Sequence, residues 1–337
     1  AGSEDSQARA LWALGTFLDL QCFSRIEQSV KAFFESAVPT ASSFRSPRSW
    51  AFALLGLNGY LAQHENGAIS ALRLDLKNRL AFEFPRHGTF HWPWPEETLT
   101  YANAKLPHAL LTAAHACNDE FSMGMALHSL EWLMEVQTAR SGVFRPVGNR
   151  GWHSRTTIGG PAQFDQQPIE AHATISACLA AWQVTQQESW FRLAENTFQW
   201  FLGTNDLGLP LYDPSNGGCY DGLQEHGVNE NQGAESLIAY HLSYVELERA
   251  RRTFFARAPV PSCKSVPRPT LASRRHEATR APSSASGAAF APSRFQTDNS
   301  CPALSNRLAM GKPIRPTPSS AILVCMYVRL PLADNLR

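Results

Sequence analysis

The feature that most constrains this chain is an apolar repeat at intervals of three and four residues, which recurs through the first 250 residues. Segments of this kind run at about 6–20, 24–37, 47–64, 68–83, 101–117, 120–138, 167–185, 189–203 and 232–255, with Leu106, Leu110, Leu111 and Ala114 a clear instance. That spacing lines one face of a helix and leaves a stripe that must pack against another element. No run alternates apolar and polar residues over strand length, and no strand–helix–strand rhythm appears. The spacing therefore predicts an all-α fold. Most connections are short, so successive helices are expected to be antiparallel neighbours.

The longer connections carry a second signal. Irregular stretches fall at about 84–100, 139–166 and 204–231, and each precedes an odd-numbered helix in the series above. In a stack of antiparallel pairs all odd helices begin at the same end. The elaborate loops are thus expected on one face of the helical scaffold, the usual place for function.

The chain changes character near residue 256. Residues 251–337 hold 14 Lys and Arg against 3 Asp and Glu, which leaves 16 basic and 26 acidic residues in the first 250. Eleven of the 22 prolines fall in that last stretch, whereas all nine tryptophans lie at or before Trp200. The composition divides the chain into a helical domain over 1–255 and a Pro-, Arg- and Ser-rich tail over 256–337. The tail has no periodicity with which to bury a core and is expected to be disordered. Its composition is that of GC-rich coding sequence read out of frame; a natural basic tail is the alternative. Its arginines lack interleaved aromatics or a recognised module, so nucleic acid is not an expected partner.

Longer apolar runs, such as the one from Ala51, are too interrupted to span a bilayer, so no membrane association is expected. The first residues lack the basic start and apolar core of a signal peptide. Seven scattered cysteines show no paired spacing; His87 and His91 stand four residues apart, and no HExxH pattern occurs. The expectation is reduced thiols in a cytoplasmic setting, with neither a bound metal nor a cofactor.

Polar residues cluster where the odd helices begin. Glu4, Asp5 and Ser6 open the first helix; one of them suffices for an N-cap, and the second acid is surplus. The stretch from His91 to Pro107 combines Trp92, Trp94 and Tyr101 with Glu96, Glu97 and Asn103. Aromatic faces suit the C–H faces of sugar rings, and carboxyls and amides suit their hydroxyls. The glycine-rich loop from Gly142 to Thr157 carries Arg145, Arg150 and Arg155 without the spacing of a phosphate-binding P-loop. Asp165, Gln166, Gln167 and Glu170 lie within six residues at a helix start. Asp213, Asp221, Asn229, Asn231 and Glu235 crowd the approach to the last helix, in a spacing unlike an EF-hand.

Taken in order, EDSQARALWALG, WPEETLTYANAKLP, FRPVGNRGW, FDQQPIEA, WFLGTND and GGCYDGLQEHGVNENQGAES resemble the blocks of a bacterial family. That family is the helical domain, six-hairpin glycosidase-like in fold, that accompanies or is fused to group-1 glycosyltransferases. The resemblance covers about residues 1–250 and implies an (α/α) helical-hairpin toroid with a role in saccharide metabolism. About nine helices precede the tail where a complete ring would have twelve, and no nucleotide-sugar-binding domain is present. A glycoside hydrolase-like activity then calls for paired carboxyls, one a proton donor and one a base or nucleophile. Asp165 or Glu170 is expected in one role and Asp5, Glu97 or Asp221 in the other. Trp94 and Tyr101 are expected to stack on the saccharide, and Asn103, Arg145, Gln166, Gln167, Asn229, Asn231 and Glu235 to bind it. Two alternatives stay open: a non-catalytic saccharide-binding or scaffolding domain serving a glycosyltransferase partner, and a truncated, inactive product.

Overall fold

Local chemistry sets several helix starts. Ser3 caps α1 (Glu4–Leu20) by accepting from the Ser6 amide at 3.3 Å. Pro47 occupies the first turn of α3 (Pro47–Leu61), where a missing N–H costs nothing. Asn66 accepts from the amides of Ala68 and Ile69 to open α4 (Gly67–His87), and Asp119 caps α6 (Glu120–Val136) through Ser122. The remaining helices are α2 (Ser24–Ala37), α5 (Lys105–Ala116), α7 (Pro168–Thr185), α8 (Glu188–Gln199) and α9 (Ala234–Arg257). This computed structural model describes residues 3–21, 24–156 and 158–257, so the tail expected over 256–337 lies almost wholly outside them.

The odd helices pack against one another in chain order, α1 on α3, α3 on α5, α5 on α7 and α7 on α9. Each even helix rests on the odd helix before it, and α8 also touches α9. The result is two layers of helical hairpins, and the burial patterns fit. α7 is buried without a break from Pro168 to Trp182, as an inner helix apolar on every side must be. α8 buries only the stripe of Trp190, Phe191, Ala194, Thr197 and Phe198. The fold is all-helical in its framework, as the periodicity predicts.

The α1–α3 contact is the closest. A Cβ built on Gly56 would stand 2.3 Å from the Leu11 carbonyl oxygen, and one on Gly15 would stand 2.0 Å from that of Gly56. Only glycine lets these two backbones meet.

Two expected boundaries move. α4 continues through Pro85 to His87, because buried Phe84 anchors its last turn and its carbonyl accepts from Gly88. α5 begins at Lys105 instead of near 101, since 100–104 form a turn held by side chains described below. The long loops carry three small two-stranded ladders: β1 (Thr98–Leu99) with β2 (His153–Ser154), β3 (Tyr212–Asp213) with β4 (Gly218–Cys219), and β5 (Gly222–Gln224) with β6 (Gly227–Asn229). Among the described residues no helix is long and apolar enough to cross a membrane. Cys117, Cys178 and Cys219 are free thiols.

Candidate functional site

Four odd helices bring their starts or inner faces to a common polar region. On α1, Asp5, Arg9 and Trp12 recur at helical spacing and are all partly exposed. Arg9 Nε donates to Asp5 at 2.7 Å, and the Tyr101 hydroxyl donates to the other Asp5 oxygen at 3.0 Å. From α5, the ammonium of Lys105 lies 4.5 Å from the centre of the Trp12 ring. From α7, the His172 ring is stacked near Trp12 with centroids 6.2 Å apart. From α9, Glu246 stands 3.4 Å from His172 Nε2 and accepts from the Ser176 hydroxyl at 2.6 Å. Asp5, Arg9, Trp12, Lys105, His172, Ser176 and Glu246 thus form one contiguous cluster between the inner helices.

Its electrostatics follow from burial. Burial opposes charge on Glu246, but the hydrogen bonds from His172 and Ser176 and the nearby Lys105 charge outweigh it and hold the carboxyl down at about 2. Burial, with the Lys105 charge beside it, lowers His172 and keeps the ring neutral. Burial likewise lowers Lys105 to about 8 and His108 to about 3. The cluster at neutral pH therefore holds an ionised Glu246, a cationic Lys105 and neutral imidazoles.

A second network anchors the turn before α5. Arg48 is buried and donates through Nε to the Tyr101 carbonyl at 2.7 Å, through Nη1 to Glu96, and through Nη2 to Asn103 Oδ1 at 3.2 Å. Its guanidinium also lies 4.9 Å from the Tyr101 ring centre. Asn103 Nδ2 donates to Glu170 at 2.9 Å, and the amides of Ala102 and Asn103 donate to the same carboxylate. A continuous chain of contacts therefore joins Asp5, Tyr101, Arg48, Asn103 and Glu170. Glu170 is only 1% exposed, and burial pushes its carboxyl up to about 7 against the pull of those three N–H donors.

The expected site residues separate into groups. Asp5, Tyr101, Asn103 and Glu170 do come together, but Asn103 and Glu170 are fully engaged in holding the 100–104 turn and are not free to bind a ligand. Trp94, expected as a stacking face, is wholly buried against Trp132, because the loop packs on its own aromatics. The aromatic of the polar cluster is Trp12, in contact with Lys105 and His172.

Arg145 and Gln166, expected as ligand readers, instead clamp two loops together. Arg145 forks onto Asp206, which also accepts from Gln166 Nε2 at 2.6 Å, while the Trp200 indole donates to Gln166 Oε1 at 2.8 Å. Gln167 sits at the α7 cap position without a side-chain capping bond. Asp165 pairs with Arg150 at 3.2 Å, and its Oδ1 is buried with no hydrogen-bond partner. Glu97 is 52% exposed and pairs with Arg155 at 2.9 Å and His87 at 3.5 Å. Asp221 is committed to the α9 entrance, accepting from the Gly233 amide at 2.7 Å and from Asn231. Asn229 accepts from the Asn231 amide, and Glu235 lies exposed in the first turn of α9.

Sequence reading did not single out Arg9, Trp12, Arg48, Lys105, His172 or Glu246 as site residues. The signal was there for Lys105, His172 and Glu246, since charged or titratable residues on the buried stripe of a helix are rare without a reason. Among the described residues no three His, Cys, Asp or Glu side chains gather as a metal-ligand set. No family model matches the chain, and no curated protein matches it.

Proposed function

We propose that this helical domain is carbohydrate-active and glycoside hydrolase-like, with its site in the cluster between the odd helices. The observation that carries this reading is that two carboxyls and an indole, Asp5, Glu246 and Trp12, are all partly exposed on the inner helices α1 and α9. Phe52 and His172 stack on the Trp12 ring, and its exposed part offers an apolar contact for a sugar ring. Glycoside cleavage needs one carboxyl to protonate the leaving oxygen and another to act as base or nucleophile. Glu246, held ionised, suits the second role, and Asp5 is the other carboxyl of the pair. Tyr101 and Arg9 orient Asp5; His172 and Ser176 orient Glu246. Glu170 and Arg48 are positioning residues that fix the turn carrying Tyr101. An (α/α) toroid of the six-hairpin kind, with odd helices inside and even helices outside, would supply this arrangement, in keeping with the resemblance to the glycosyltransferase-associated helical family.

The test is reducing-end release from a panel of oligosaccharides by the full chain. Asp5→Asn and Glu246→Gln should each lower turnover by about 100-fold or more, as loss of a general acid or base does, while Glu97→Gln should leave it unchanged. Full activity in either of the first two variants would refute the assignment. Binding without turnover by the wild-type chain would favour the alternative of a saccharide-binding domain.

A further inference from the structure

Lys105 is a cation whose place in the cluster is unfilled. Only 2% of the residue is exposed, and its Nζ is buried with no hydrogen-bond partner. Its neighbours are all committed elsewhere. On α1, Arg9 carries a like charge and occupies Asp5. On α7 and α9, His172 and Ser176 take up Glu246, and Lys105 has no carboxylate within ion-pair distance among the described residues. On its own helix, His108 has a buried and likewise unpartnered Nδ1. Its compensations among the described residues are the Trp12 ring at 4.5 Å and, beyond ion-pair distance, the charge of Glu246. An ammonium buried without a direct ion-pair or hydrogen-bond partner is costly to fold around, and desolvated groups of this kind concentrate at functional sites.

We infer that Lys105 is the specificity-determining residue for a carboxylate on the ligand, so that the saccharide taken by this site is a uronate-type, acidic sugar. The inference rests on the carbohydrate reading above. The ring of such a sugar would rest against the exposed part of Trp12. Its carboxylate would accept from Lys105 Nζ, and from His108 Nδ1 in the tautomer that bears a proton there. Asp5, Arg9, Trp12 and Glu246 of the same cluster are partly exposed. A neutral sugar would leave the ammonium unpaired beneath it.

Calorimetric titration of the full chain with paired panels tests this: oligomers of glucuronate, galacturonate and mannuronate against those of glucose, galactose and mannose. The wild-type chain should bind at least one uronate oligomer about tenfold or more tighter than its neutral counterpart, the worth of one charge-assisted contact. Lys105→Met should abolish that preference and also raise the melting temperature of the unliganded protein. A lysine with a purely structural role would lower it. Equal affinity for neutral and acidic members, or a preference that survives Lys105→Met, would overturn the inference and leave the carbohydrate reading standing. Binding to no member of either panel would overturn both.

Discussion

Glu170 sets two physical effects against each other, and its titration decides which one wins. The carboxyl is buried, which favours the neutral acid, yet three N–H groups point at it, which favours the anion. Burial prevails, raising the group from an ordinary 4.5 to about 7. At about 1.4 kcal/mol per pKa unit, that difference is worth about 3 kcal/mol of folding free energy. The folded value lies above the unfolded one, so the contribution is fully present below about pH 4.5 and is lost as pH rises through about 7. Glu170→Gln removes the titration and adds a constant penalty, because an amide NH2 must then face an N–H donor. Urea denaturation of both proteins at pH 4.5 and pH 8 isolates the pH-dependent part. Relative to the variant, the wild type should lose about 3 kcal/mol of stability over that interval. If it gains stability instead, the N–H donors dominate and the reasoning about burial is wrong.

Other consequences of the structure are as direct. Gly56→Ala puts a methyl against the Leu11 carbonyl and should cost about 3 kcal/mol or more, lowering the melting temperature by about 10 °C in a calorimetric scan. Asp206→Asn weakens the fork from Arg145 and the bond from Gln166, so residues 139–166 and 204–223 should become the first sites of limited proteolysis while the helices stay protected. Burial raises the Cys178 thiol, so residue-resolved alkylation should find it unreactive until the protein unfolds, well after Cys117. If Cys178 reacts as fast as Cys117 in the native protein, the packing of α7 described here is wrong.

How much of this was legible without a structure depends on the range of the interactions. Periodicity at three and four residues placed all nine described helices, with ends displaced by only a few residues, because an apolar stripe is a local pattern. The grouping of polar residues at odd-helix starts was legible for the same reason, and Asp5, Tyr101, Asn103 and Glu170 do meet. What each of them does was not legible. Glu170 and Asn103 look like ligand-binding residues in sequence, but a turn 67 residues away from Glu170 consumes their hydrogen-bonding capacity. Trp94 and Trp12 are the same residue type, and only packing sends the first into the core and leaves the second partly exposed in the polar cluster. Lys105, His172 and Glu246 come from three helices, and their shared electrostatics exist only once those helices are side by side. The sequence by itself determined which segments are helical and which ends carry polar chemistry. The tertiary structure decided which polar groups are satisfied and which remain unpaired, since that depends on partners distant in the chain.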